Sequence, residues 1–155
     1  MKKTSFRISR IATPAMIVCG LLASGTVATA QTAGALCSNQ LIFGNYGYAA
    51  QGVVMGLPGL PAEAQFRSVG MTHFDGKGNL SWLEETVING VQIGVPWTAA
   101  SGTYIVNSNC TGTAVVNTPN SPVPLNLAFV VVKGGKEVDS IENTNAISTV
   151  FTKVN

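Results

Sequence analysis

Charged side chains are scarce in this chain. They make up 10% of its 155 residues, against roughly 25% in an ordinary soluble domain. That scarcity excludes a polyelectrolyte tail and a surface basic enough to hold nucleic acid. Histidine is present once, as His73, with no second ligand at a metal-like spacing, so no metal site is expected. No Ser, His and Asp spacing points to a hydrolase. The segment Gly44-Asn45-Tyr46-Gly47-Tyr48 has neither the strand-then-helix setting nor the lysine of a phosphate loop. No cofactor is expected. Sustained 3.6-residue periodicity is also missing after the first thirty residues, which excludes a long helix there.

What is abundant is glycine, at 17 residues, with many Thr, Val and Asn, a composition of turns joining short strands. Strand-like runs fall at 41–55, 64–75, 79–89, 91–106, 111–118, 125–133, 136–142 and 146–154. Between them, Asp75-Gly76-Lys77-Gly78-Asn79, Asn89-Gly90 and Gly134-Gly135 supply residues that tolerate positive φ in tight hairpins. Pro58, Pro61, Pro119, Pro122 and Pro124 fall in the two longest connections, where a missing backbone donor is harmless. Neighbouring strands are therefore expected to pair antiparallel in sequence order. The fold class is all-β, with an eight-stranded antiparallel up-and-down β-barrel expected and a β-sandwich as the alternative. Closure removes the edges that so apolar a sheet would otherwise expose.

The first thirty residues read differently. Lys2, Lys3, Arg7 and Arg10 precede an apolar stretch from Ile11 to about Val27, and Ala28-Thr29-Ala30 supplies a small-x-small cleavage site. Thr13, Pro14, Gly20, Ser24 and Gly25 interrupt the stretch, which falls short of the roughly 20 apolar residues of a membrane span. The expected organisation is a signal peptide at 1–30 and a single domain at 31–155, secreted to the periplasm or beyond the cell, with no membrane association after cleavage. An uncleaved anchor is the alternative. Cleavage would leave five basic residues against seven acidic ones, a net charge of −2. It would also remove Cys19 and leave Cys37 and Cys110 bound for an oxidising compartment. These are read as one disulfide, the alternative being two buried thiols.

Three stretches carry a resemblance: Phe74-Asp75-Gly76-Lys77-Gly78-Asn79-Leu80-Ser81, the run from Ser101 to Ala114 (SGTYIVNSNCTGTA), and Phe129-Val130-Val131-Val132-Lys133-Gly134-Gly135-Lys136-Glu137. Together they resemble a set of small secreted bacterial proteins. The likeness runs from about Cys37 to Phe151 and includes a cysteine ahead of the first strand. Such proteins look like eight-stranded barrels of the calycin or allene oxide cyclase and dirigent type, whose members bind small apolar ligands or guide cyclisations. The shared stretches are turn and strand motifs, so the resemblance implies a fold and carries over no catalytic residue.

Few side chains can act. A hairpin turning near Lys77 brings Arg67, His73, Glu84 and Glu85 onto adjacent ladders, and strand alternation requires one of the two glutamates to face inward. Glu84 shares a face with Leu80 and Trp82, Glu85 with Leu83 and Val87. An inward carboxylate paired with Arg67 or His73 would suit general acid–base work; the structural alternative is a cross-strand ion pair at the barrel rim. Of the titratable side chains after the first thirty residues, His73, Arg67, Glu63, Asp75, Glu84, Glu85, Glu137, Asp139, Glu142 and four lysines, most read as solvated turn or rim residues. Tyr46, Tyr48, Trp82, Trp97 and Tyr104 are candidate ligand contacts, with core packing the alternative for each. The apolar Gly56-Leu57-Pro58-Gly59-Leu60-Pro61 reads as a lid over a barrel mouth or a stiff connection.

Three functional expectations follow. The leading one is a barrel that binds a small apolar molecule or serves a structural role. The second is a cyclase or isomerase using Glu84 or Glu85 with Arg67. The third is a surface protein that self-assembles through apolar outer faces such as that of strand 125–133, giving a homo-oligomer. Whether eight strands leave a hollow interior or fill it with side chains is left open by the sequence.

Overall fold

A computed structural model describes residues 36–56 and 59–154. The expected leader and cleavage site lie outside the described residues, as do Leu57 and Pro58 of the apolar connection. Eight strands follow one another: β1 Gly44–Met55, β2 Glu63–Phe74, β3 Asn79–Ile88, β4 Val91–Val106, β5 Thr111–Asn117, β6 Leu125–Val132, β7 Glu137–Glu142 and β8 Ala146–Lys153. Each pairs antiparallel with the next. β1 also pairs with β8, from Tyr46 opposite Lys153 to Val53 opposite Ala146, which closes the sheet into a barrel. The sandwich alternative is thereby set aside.

The alternation that suggested strands also sorts the side chains. Along β3, Leu80, Trp82, Glu84, Thr86 and Ile88 are buried while Ser81 and Leu83 are exposed; along β5, Gly112, Ala114 and Val116 are buried and their neighbours exposed. The turns use the residues expected of them. Asn89 and Gly90, at φ 49° and 80°, make the tight β3–β4 reversal. Asp75 accepts hydrogen bonds from the backbone N–H groups of Lys77, Gly78 and Asn79 at 2.7–2.9 Å, which fixes the β2–β3 turn.

One irregularity departs from the expected continuous fourth strand. Between the pairs Glu84–Thr98 and Thr86–Ile93 the register shifts, so Glu85 on β3 faces the four residues Gly94 to Trp97 of β4. Gly94 and Trp97 take positive φ within this bulge, and Pro96 sits where no ladder hydrogen bond is required. The Glu85 carboxylate accepts from the Trp97 backbone N–H at 3.0 Å and holds the bulge in place.

The two ends of the barrel differ. At the end carrying the β2–β3 and β4–β5 turns, a 3-10 turn at Asn39–Ile42 caps the interior, with Ile42 fully buried. Edge-to-face aromatic contacts continue below it, Tyr46 to Phe74 at 5.3 Å and Phe74 to Tyr104 at 5.0 Å between centroids. The cap is tied down by polar contacts: Tyr46 Oη donates to the Gly135 carbonyl, Tyr104 Oη donates to the Asn39 carbonyl, and Asn39 Oδ1 accepts from the Val106 N–H at 2.7 Å. The disulfide between Cys37 and Cys110, with Cα atoms 5.0 Å apart, joins the segment before this cap to the β4–β5 turn. Those cysteines are 73 residues apart, and a closed loop of that size restricts the unfolded chain by about 4 kcal/mol. Replacing both by serine is expected to lower the unfolding free energy by about that amount, read as a lower urea midpoint with a slope that rises as the unfolded chain expands; a midpoint equal to that of the parent would show that the disulfide adds nothing.

Candidate functional site

The barrel is hollow toward its other end. A cavity of about 280 Å³ opens among the β1–β2, β5–β6 and β7–β8 connections, with Met55, Ser121, Val123, Thr144 and Asn145 around its rim. Its walls are mostly apolar: Ala50, Val54, Phe66, Ile88, Leu127, Ile147 and Phe151. Tyr48 and Trp82 lie deeper, with ring centroids 5.6 Å apart and Phe151 beside Tyr48 at 5.2 Å. Small inward residues keep this half open where the other half is filled. Ala50 and Ser68 project little, and Gly70 leaves the space that the Tyr48 ring occupies; a Cβ at Gly70 would stand 2.7 Å from that ring and 2.1 Å from the Leu83 carbonyl oxygen.

The polar groups in the cavity are few and unevenly satisfied. Glu84, only 5% exposed, accepts on Oε1 from Thr118 Oγ1 and from Asn120 Nδ2, the latter at 3.0 Å. Burial raises its pKa above the ordinary glutamate value, and the Thr118 and Asn120 hydrogen bonds offset part of that rise. Glu142, also 5% exposed, accepts on Oε1 from the backbone N–H and hydroxyl of Thr144, at 3.1 and 2.6 Å. Its Oε2 is buried without a hydrogen-bond partner, as is Trp82 Nε1; the buried Tyr48 Oη has the Ser68 hydroxyl beside it, beyond good hydrogen-bond geometry. Ser68 Oγ accepts from Thr86 Oγ1 at 3.1 Å.

Of the candidate acid–base residues, the structure brings only Glu84 into the cavity. Arg67 is exposed on the outer face, alternating with the inward Phe66 and Ser68, and its guanidinium donates to the adjacent Phe66 carbonyl. His73 is likewise exposed, hydrogen-bonded to Asn45 Oδ1 at 2.7 Å and edge-on to Phe43. Glu85 faces outward and holds the β4 bulge. The expected pairing of an inward glutamate with Arg67 or His73 is therefore corrected: these residues occupy adjacent ladders but opposite faces of the sheet. Among the aromatic candidates, Tyr48 and Trp82 line the cavity, while Tyr46 and Tyr104 belong to the capped end. Trp97 stands on the outside, 56% exposed, because the bulge carries it there.

Glu142 is the functional candidate that sequence reasoning missed. It belongs to the titratable set of which most members were expected at solvated turns or rims. The alternation of Val138, Ser140 and Glu142, all buried, was the signal that places it inside. Among the described residues, no group of three His, Cys, Asp or Glu side chains is arranged to hold a metal ion. No known protein-family model matches the chain, and no curated protein matches it.

The two perturbed carboxylates give stability a pH dependence of opposite sign. Glu84 keeps its proton in the folded state at pH values where the unfolded chain, titrating near 4.5, has lost it. Its contribution is fully present below that value and is lost as pH rises through the raised pKa. Asp75 is held down to about 2, first by the Asn79 side chain and backbone and then by Lys77 and Gly78. Its contribution is present above its ordinary 3.8 and is lost as pH falls toward 2. Glu84→Gln is expected to remove the loss of stability on the neutral side and to leave the acid side unchanged. Urea midpoints measured from acid to neutral pH read this directly, and an unaltered neutral limb in the variant would contradict it.

Proposed function

We propose that this protein is an exported β-barrel that takes up a small, mainly apolar molecule through the open end of its interior cavity. One observation carries the reading. An apolar-walled cavity is lined by two residues with buried polar atoms, Trp82, whose Nε1 finds no partner among the described residues, and Tyr48, whose Oη has only the Ser68 hydroxyl beside it. A buried polar atom costs about 1–3 kcal/mol while unpaired, and a molecule bearing an oxygen at its deep end would recover part of that. A concave, mostly apolar site with a few convergent polar groups is the usual form of a small-molecule pocket.

Export is supported by the three-part leader of residues 1–30 and by a disulfide compatible with an oxidising compartment. No helix among the described residues is long and apolar enough to cross a membrane. Binding is preferred to cyclase or isomerase chemistry because Glu84 has lost the cationic partner that acid–base work was expected to use. Self-assembly has a different support, the exposed Val130 and Ile141 on the outer face of β6 and β7, and it is compatible with an occupied interior.

Uptake is checked with N-phenyl-1-naphthylamine, a neutral apolar dye that brightens when it leaves water. The expected result is saturable fluorescence, weakened about tenfold or more in Ala50→Leu, whose larger side chain occupies the cavity, at little change in melting temperature. Dye uptake that Ala50→Leu does not alter would place the binding surface outside the barrel, and no uptake at all would remove the proposal.

A further inference from the structure

The charge of the cavity narrows the chemistry of what enters it. Glu84 and Glu142 stand on β3 and β7, the third and seventh of eight strands in a closed ring, and so approach the same cavity from opposite walls. No Lys, Arg or His is among the described residues that line it. The described basic side chains lie elsewhere: Arg67 on the outer face, Lys77 in a turn, Lys133 paired at 2.6 Å with Glu137, and Lys136 and Lys153 at the capped end. Buried carboxylates ordinarily meet a cation or a full set of donors. Here the donors are incomplete. Both hydrogen bonds to Glu84 fall on Oε1, and both to Glu142 fall on its Oε1, which leaves Glu142 Oε2 buried and unpartnered.

We propose that the molecule taken up by this cavity is a cation, an ammonium group carried on an apolar body, whose head pairs with Glu142 Oε2 within the field of Glu84. The inference rests on the small-molecule reading above and adds the sign of the ligand's charge. An ammonium group supplies the N–H donors that Glu142 Oε2 lacks, and a charge-assisted hydrogen bond of this kind is stronger than a neutral one. An anionic ligand would meet the unpartnered Glu142 Oε2 and no compensating cation. The apolar body lies against Phe66, Phe151 and Leu127, and the carboxylates set which end of the molecule stays near the mouth.

Three probes of one length test this: n-octylammonium, n-octanol and n-octanoate, titrated calorimetrically into the purified protein near neutral pH. Octylammonium is expected to bind about tenfold or more tightly than octanol, a difference of about 1.4 kcal/mol or more, with octanoate weakest. Glu142→Gln is expected to abolish the preference for the ammonium while leaving octanol affinity within about twofold. Should Glu142→Gln fail to fold, the order of the three probes on the parent protein decides alone. Equal affinity for octylammonium and octanol, or a preference for octanoate, would overturn the cationic assignment and leave the small-molecule reading standing. An ammonium preference that Glu142→Gln does not reduce would overturn the pairing with Glu142. Failure of all three probes to bind would overturn both.

Discussion

Everything inside this protein depends on the pairing of its first strand with its last. The ladder from Tyr46–Lys153 to Val53–Ala146 converts a meander with two unpaired edges into a closed surface. Closure separates each strand's side chains into an inside and an outside, and the number of strands fixes the volume the inside must fill. A chain with so few charges has strong reason to close, because an open edge of Val and Thr would offer its backbone to other chains. What the interior then does depends on which residues are spent on filling it.

They are spent unevenly. Toward the disulfide, Ile42, Tyr46, Phe74 and Tyr104 pack the barrel solid, and their hydroxyls find backbone partners in the capping segments. Toward the other end, Ala50 and Ser68 project little, and a cavity results, while Gly70 makes room for the Tyr48 ring beside it. The packed half pins the barrel's shape, so the open half can stay open without collapse. The hydroxyls of Tyr46 and Tyr104 at the capped end are satisfied by the fold, whereas Trp82 and Glu142, which line the cavity, carry unpaired atoms, as do Thr72 and Ser140 in the packed interior.

The strands were legible because alternation and turn chemistry both survive in the sequence: the expected run 79–89 became Asn79–Ile88, and 146–154 became Ala146–Lys153. Alternation also put Glu84 on the face of Trp82, which is where it lies. The same alternation, applied to Phe66, Arg67 and Ser68, places Arg67 outside, so adjacency of ladders was the weaker guide. The β4 bulge was harder to see. Its marks were Gly94 and Pro96 inside a strand-like run, and without the bulge neither the outward turn of Trp97 nor the holding role of Glu85 follows. Glu142 adjoins a turn, as a solvated rim residue would, yet its spacing from Val138 and Ser140 places it on the inner face. The hollow itself lay beyond sequence reading, since it depends on which small residues from separate strands meet at one level of the barrel.

The central claim, that the interior holds a small molecule, is tested most directly by native mass spectrometry of the protein purified from its own host, before and after mild organic extraction. The account predicts a mass above that of the polypeptide by a small, discrete amount that disappears on extraction. A bare polypeptide mass in repeated preparations, unchanged by extraction, would contradict it and move the protein's work to its outer surface.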